Sequence, residues 1–249
     1  MSASSPSVFR ASVLNETDTY RELPPPPALR DSLACLWIRR GDGGTVRILP
    51  DACSDIVWIE GVGAFVAEPD TRPAFAAPGA GALVVGARFL PGAGGAALGL
   101  PLRELRDARV PLAELGLDPD ETLGGGATPE DALGLVVALA ARLSAAGPPD
   151  RAVQAAASRL AEPALRMDRL AAEAGFSDRQ LRRRFHVAVG YGPKTLHRIL
   201  RLRRFLNGAP GDLGRAAAET GYADQSHLTR ECRRLTGLTP GRARELHGS

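Results

Sequence analysis

Residues 221–244 read GYADQSHLTRECRRLTGLTPGRAR, and a shorter counterpart, GFSDRQLRRRF, occupies 175–185. Each stretch is preceded by a short Ala-rich segment, Leu170-Ala171-Ala172-Glu173 in one case and Ala216-Ala217-Ala218-Glu219 in the other. Each then has Gly followed by an aromatic residue, a capping residue and a basic amphipathic run. Gly175 and Gly221 supply the left-handed backbone of a tight turn, Phe176 and Tyr222 can plug the angle between two helices, and Ser177 or Asp224 can accept the free N–H groups of the next helix. That is the plan of a helix-turn-helix, written twice. Leu181 follows its Gly by six residues and Leu228 follows its own by seven, so the second turn is one residue longer while the core-facing Leu is kept.

Working outward from the repeat, Pro193 opens a long helical run, KTLHRILRLRRFL, with Leu196, Ile199, Leu200 and Leu202 on its inner face. It reads as a strut between the two units. With a first helix over about 150–161 and a last one from Pro240, the C-terminal part reads as seven helices.

Two tandem units followed by TGLTPGRAR closely resemble the DNA-binding domain of the AraC/XylS family of bacterial transcription regulators, over roughly Asp150 to Leu246. The second half of the match is the more specific: Asp224-Gln225-Ser226-His227-Leu228, the Arg233-Arg234 pair, Thr236-Gly237 and Thr239-Pro240 stand in the family's order and spacing. Cys232 stands where the family usually has Phe and Ala243 where an aromatic is common, so looser packing is expected under the second unit.

A recognition helix reads bases from its N-terminal half. The candidate base contacts are therefore Arg179, Gln180, Arg182 and Arg183 in the first unit and Gln225, Ser226, His227, Thr229 and Arg230 in the second. Arg can grip guanine, and Gln adenine, with paired hydrogen bonds. The resemblance puts Arg179, Arg182, Arg183, Gln225, Ser226, Thr229 and Arg230 on base-facing positions. Arg184, Arg198, Arg201, Arg204 and Arg234 are expected at phosphates.

Charge supports a nucleic-acid module. Residues 1–149 hold 12 Lys/Arg and 18 Asp/Glu, whereas 150–249 hold 19 and 10, so a basic half follows an acidic one. The 249 residues are enough for two domains, and their 44% apolar content is enough for real cores. The expected organisation is α+β: a tail at 1–19, an N-terminal effector or dimerisation domain at 20–146, a linker at Gly147-Pro148-Pro149 and a DNA-binding domain at 150–249. The start has no signal segment and no run reaches the ~20 apolar residues of a membrane span, so a cytoplasmic protein is expected.

In the N-terminal half, YRELPPPP at 20–27 reads as an extended strap. Leu33–Arg39, Val46–Leu49, Asp55–Glu60 and Leu83–Phe89 read as short strands of a small sheet or half-barrel, with covering helices after Pro91. ILPDACSDIVW at 48–58 and GARFLPG at 86–92 resemble a poorly characterised domain found on some AraC-type regulators, and the wider family suggests a cupin-like barrel. Trp37 and Trp58 are expected in neighbouring strands, walling a ligand pocket. Thr128-Pro129-Glu130-Asp131 caps a helix whose stripe of Leu133, Val136, Val137, Ala140 and Leu143 would cover its own domain or form a dimer interface.

Enzyme readings find no support. All four His lie in the C-terminal half, so a metal-dependent cupin enzyme lacks ligands, and Cys35 and Cys53 are too few for the four-Cys zinc site of an alkyl-transfer repair regulator. No cofactor is expected. The function implied is sequence-specific regulation of transcription on double-stranded DNA, as an activator by family habit. RNA polymerase, a small-molecule effector and a second copy of the chain through the N-terminal half are left open as further partners. The alternatives are a ligand-independent interaction domain, or a redox or electrophile sensor at Cys53, whose flanking Asp51 and Asp55 would raise the thiol pKa.

Overall fold

The computed structural model describes residues 13–14, 19–41, 43–117, 123, 126–162, 165, 167, 169–209 and 211–248. Most of the expected tail, 1–12 and 15–18, lies outside them. The N-terminal half contributes strands β1 (Val13–Leu14), β2 (Thr19–Leu23), β3 (Leu33–Arg40), β4 (Val46–Ile48), β5 (Asp55–Ile59), β6 (Gly63–Ala67), β7 (Ala74–Ala76), β8 (Leu83–Phe89) and β9 (Arg109–Pro111), with helices α1 (Gly94–Leu98) and α2 (Pro129–Ser144). Six strands form one antiparallel sheet in the order β2-β3-β8-β5-β6-β9, and β1-β4-β7 form a second. The first part of the expected strap is β2, pairing Thr19 with Arg40.

Residues directly opposite in antiparallel strands share a face. Trp37, Gly86 and Val57 are in register across β3, β8 and β5, and so are Ile38, Val85 and Trp58. The two tryptophans are therefore on opposite faces, with β8 between their strands. This corrects the expected pairing: Trp58 packs with Ile56, Val85 and Val136 under α2, and only Trp37 looks into the opposite, concave side.

Helix α2 starts at a complete capping box, Thr128 accepting from Asp131 N–H while the Asp131 carboxylate accepts from Thr128 N–H. Its buried face is Ala132, Val136, Leu139, Ala140 and Leu143, laid on β8 and β5. That apolar stripe covers its own sheet.

The C-terminal half is all helical: α3 (Arg151–Leu160), α4 (Leu170–Glu173), α5 (Asp178–Ala188), α6 (Pro193–Asn207), α7 (Leu213–Glu219), α8 (Gln225–Thr236) and α9 (Pro240–Gly248). Phe185, Tyr191, Phe205 and Leu228 lie in its core, and so do Leu49, Ala52 and Cys53 from the loop between β4 and β5. The buried Arg203 of α6 donates to the Asp51 carbonyl at 3.2 Å, and Arg47 donates to the Thr236 carbonyl at 2.8 Å. Cys232 and Ala243 are both fully buried.

The first unit is also gripped from the N-terminal side. A Cβ on Gly95 of α1 would stand 2.5 Å from the Val187 carbonyl oxygen of α5, so only a bare Cα permits this approach. Gly95→Ala is expected to cost about 1–3 kcal/mol, by analogy with other overpacked contacts, through the forced separation of α1 from α5. Denaturant unfolding measures it, and an unchanged midpoint would show that the contact is slack.

Candidate nucleic-acid interface

Both helix-turn-helix units are assembled by the same local contacts. Gly175 and Gly221 have φ of 74° and 81°, in the left-handed region. After each, the aromatic residue's N–H turns back onto an Ala carbonyl, Phe176 to Ala171 at 2.9 Å and Tyr222 to Ala217 at 2.8 Å. Ser177 caps α5 and Asp224 caps α8, as the residue types demand. In each unit an Arg guanidinium stacks on the turn's aromatic ring, Arg184 on Phe176 at 4.8 Å and Arg201 on Tyr222 at 4.3 Å. The stacking cation comes from the unit's own recognition helix in the first case and from the strut α6 in the second.

Helical periodicity then decides what faces out. Leu181, Phe185 and Ala188 of α5, and Leu228, Cys232 and Leu235 of α8, enter the core. Arg179, Arg182 and Arg183 on α5, and Gln225, Ser226 and Arg230 on α8, are exposed. Thr229 is half-buried with its hydroxyl bonded to the Gln225 carbonyl at 2.9 Å. Gln180 and His227 have structural duties as well. The Gln180 side-chain carbonyl accepts from Ser177 N–H at 2.9 Å, closing a capping box, and His227 Nδ1 accepts from Ala223 N–H at 3.4 Å with its ring edge-on to Tyr222.

Of the five arginines expected at phosphates, four are engaged within the protein. Arg184 pairs with Asp150 at 2.9 Å, Arg198 makes a two-pronged bridge to Glu231 (Nη2 at 2.8 Å), Arg201 donates to the Gly221 carbonyl at 2.9 Å, and Arg204 to the Ala161 carbonyl at 2.6 Å. The first bond ties α5 to the start of α3, and the other three tie the strut α6 to α8, to the second turn and to the end of α3. Arg234 is exposed beside a groove of about 880 Å³ between the two units, whose rim also carries Arg182, Lys194 and Arg106. His186, at the same groove, is pushed below its ordinary pKa by burial and then by Arg182, Arg106 and Arg103. Lys194, Arg103 and Arg106 were not anticipated. The run RELRDAR at 103–109 is visibly basic, but nothing local places it next to α5.

A second site lies in the N-terminal half, on the Trp37 face of the sheet. It is a cavity of about 170 Å³ with Tyr20, Trp37, Phe65 and Phe75 among its walls; Trp58 is not one of them. Arg88, wholly buried, is held by Asp55 through Nε at 3.0 Å and Nη2 at 2.8 Å and by Asp51 at 3.1 Å, and Asp55 also accepts from Trp37 Nε1 at 3.0 Å. Arg109 pairs with Asp70 at 2.6 Å. Glu68 is buried, and one of its oxygens accepts from the Ser54 hydroxyl at 3.3 Å. Burial, and next the Asp51 carboxylate, push the Cys53 thiol well up, which keeps it protonated and a poor nucleophile.

Comparison with known proteins places a helix-turn-helix domain over residues 170–246 and a domain of unknown function (DUF6597) over 21–111. No curated protein matches the chain. Among solved structures, ToxT from Vibrio cholerae is similar at 9% identity with a TM-score of 0.47, over 96% of this chain and 100% of that one. A second ToxT structure, from strain O395, gives 9% and 0.45 over 95% and 98%. With the two matched domains on the two structural halves described above, the chain is a DNA-binding transcription regulator that carries an AraC-type helix-turn-helix domain behind a DUF6597 domain.

Proposed function

We propose that the protein reads two successive major grooves of duplex DNA, one with α5 and one with α8, and that the occupant of the N-terminal cavity regulates this binding in the cytoplasm. The observation that carries the reading is the pair of equivalent units joined by one strut, each with its recognition helix's N-terminal half exposed. Arg179, Arg182 and Arg183 serve one box, and Gln225, Ser226, Thr229 and Arg230 the other. Gln180 and His227 hold their caps and position these neighbours. Arg234, with Lys194 and Arg106, takes phosphates, while Arg184, Arg198, Arg201 and Arg204 chiefly brace the helices. On this reading residues 20–146 form the regulatory domain, 147–149 the linker and 150–249 the DNA-binding domain. Activation of transcription is the mode the family resemblance favours.

Selection of bound duplexes from a random pool with the full-length chain tests it. The expected site is asymmetric for each monomer, with two short boxes about ten base pairs apart. Recovery of a single box would reduce α8 to a backbone clamp and overturn the two-groove reading.

A further inference from the structure

Glu68, directly after β6, lines the cavity and is only 2% exposed. Ser54 satisfies Oε2, but Oε1 has no hydrogen-bond partner among the described residues. A buried carboxyl oxygen left without a donor is costly, by about 1–3 kcal/mol or more, and calls for a partner. The other acids in the wall are already satisfied: Asp51 and Asp55 by Arg88, and Asp70 by Arg109. Four carboxyls and three guanidiniums line the space, so its net charge is negative once Glu68 ionises. The rest of the wall is aromatic or aliphatic, and aromatic faces attract cations. At about 170 Å³ the cavity is slightly larger than the roughly 150 Å³ that accommodates a benzene ring.

We propose that this cavity binds a small organic cation, an amine carrying a single ring or an equivalent apolar body, with the ammonium group donating to Glu68 Oε1 and the body packed against Trp37. The proposal rests on the regulatory reading of the N-terminal half given above, and it supplies the ligand class. It has a linked proton. Burial pushes the Glu68 carboxyl up to about 8; the Ser54 hydroxyl and Arg109 pull it down, while Asp55 and Asp70 add to the rise. Arg88, Arg39 and Asp51 also face the same space. In the empty protein Glu68 is therefore mostly neutral at pH 7, and an arriving ammonium group must displace its proton. Affinity for the amine rises by up to about tenfold per pH unit toward pH 8 and levels off above it.

The test uses the full-length protein with benzylamine, benzyl alcohol and benzoate as probes, by titration calorimetry in buffers of different ionisation enthalpy. Benzylamine is expected to bind at least tenfold more tightly than either comparator and to release close to one proton at pH 7. Glu68→Gln, which keeps the shape, is expected to weaken benzylamine at least tenfold and to abolish its pH dependence while leaving benzyl alcohol unchanged. Equal or tighter binding of benzoate, amine binding without proton release, indifference to E68Q, or no amine binding at millimolar concentration would each overturn the cation assignment. DNA affinity measured with each probe separates the two readings. If benzyl alcohol or benzoate binds at least as tightly as benzylamine and changes DNA affinity, regulation through the cavity stands and the cation assignment falls. If benzylamine binds with proton release but leaves DNA affinity unaltered, the cation site stands and the regulatory reading falls.

Discussion

Replacing Arg182 and Arg230 together by alanine is expected to lower affinity for the selected DNA site by about 30-fold at the least and by up to ~10⁴-fold. Each side chain is exposed on a recognition helix, and neither makes an ion pair among the described residues. Truncation should therefore leave stability within about ±0.5 kcal/mol. A lost two-pronged base contact costs about 1–3 kcal/mol, and sites on separate helices with no shared partner add. Each single variant is expected to relax base preference in one box only. Fluorescence anisotropy at fixed salt, with duplexes altered in one box at a time, reads both effects. Relaxation of the same base positions by both variants would mean that α5 and α8 do not divide the site. Arg198→Ala makes a useful contrast: it breaks the Glu231 bridge between α6 and α8, so its effect should appear in the unfolding midpoint and fall on all sequences alike.

Arg88→Met is expected to destabilise the protein by about 3–5 kcal/mol at pH 7, the usual cost of stranding one side of a buried ion pair. Met fills much of the volume, but Asp55 and Asp51 lose their shared counter-ion, and Trp37 loses the ordering of its hydrogen-bond acceptor. The deficit should shrink on acidification. Burial already raises the Asp55 pKa against the pull of Arg88, and with Arg88 gone it rises further, so the folded variant takes up protons over a wider interval than the intact protein and gains more stability as pH falls through it. Urea unfolding at pH 7 and pH 5 checks the sign. A deficit that grew at pH 5 would show that the charge, not the guanidinium's absence, was being compensated elsewhere.

The two helix-turn-helix units were legible because everything that defines them is local: a cap, a glycine, an aromatic plug and a Leu at helical spacing all fall within about a dozen residues. Among the described residues, the seven C-terminal helices lie within a few residues of their expected bounds. The four strands rich in Val, Ile, Leu and Trp were legible for the same reason. Strands β6, β7 and β9 were not read, being no more than three to five residues long (GAFVA, AFA and RVP) and carrying Gly, Ala or Pro beside their few Phe and Val, too little for a strand pattern until a partner strand is present. Face assignment failed for Trp58, since it depends on the register of β8 against both neighbours, a long-range quantity. Arg198, Arg201 and Arg204 show a related limit. Period fixes which way a helical side chain leaves the backbone, but not that Glu231 or the Gly221 and Ala161 carbonyls will be there to receive it. Glu68 belongs to no motif at all and became visible only with its walls in place.

The loop at 49–53 is a shared vertex. Its Asp51 carboxylate touches Arg88 in the wall of the cavity, its Asp51 carbonyl holds Arg203 of the strut, and its Leu49, Ala52 and Cys53 are built into the helical core. The cavity wall and the strut thus share one five-residue joint, so coupling between them would require no movement of the halves as rigid bodies. Thermodynamic linkage makes such a joint bidirectional: if filling the cavity alters DNA affinity by some factor, DNA alters the cavity's affinity by the same factor. A promoter would then act as an effector of its own regulator, making the protein on its target site and the protein free in solution two different sensors.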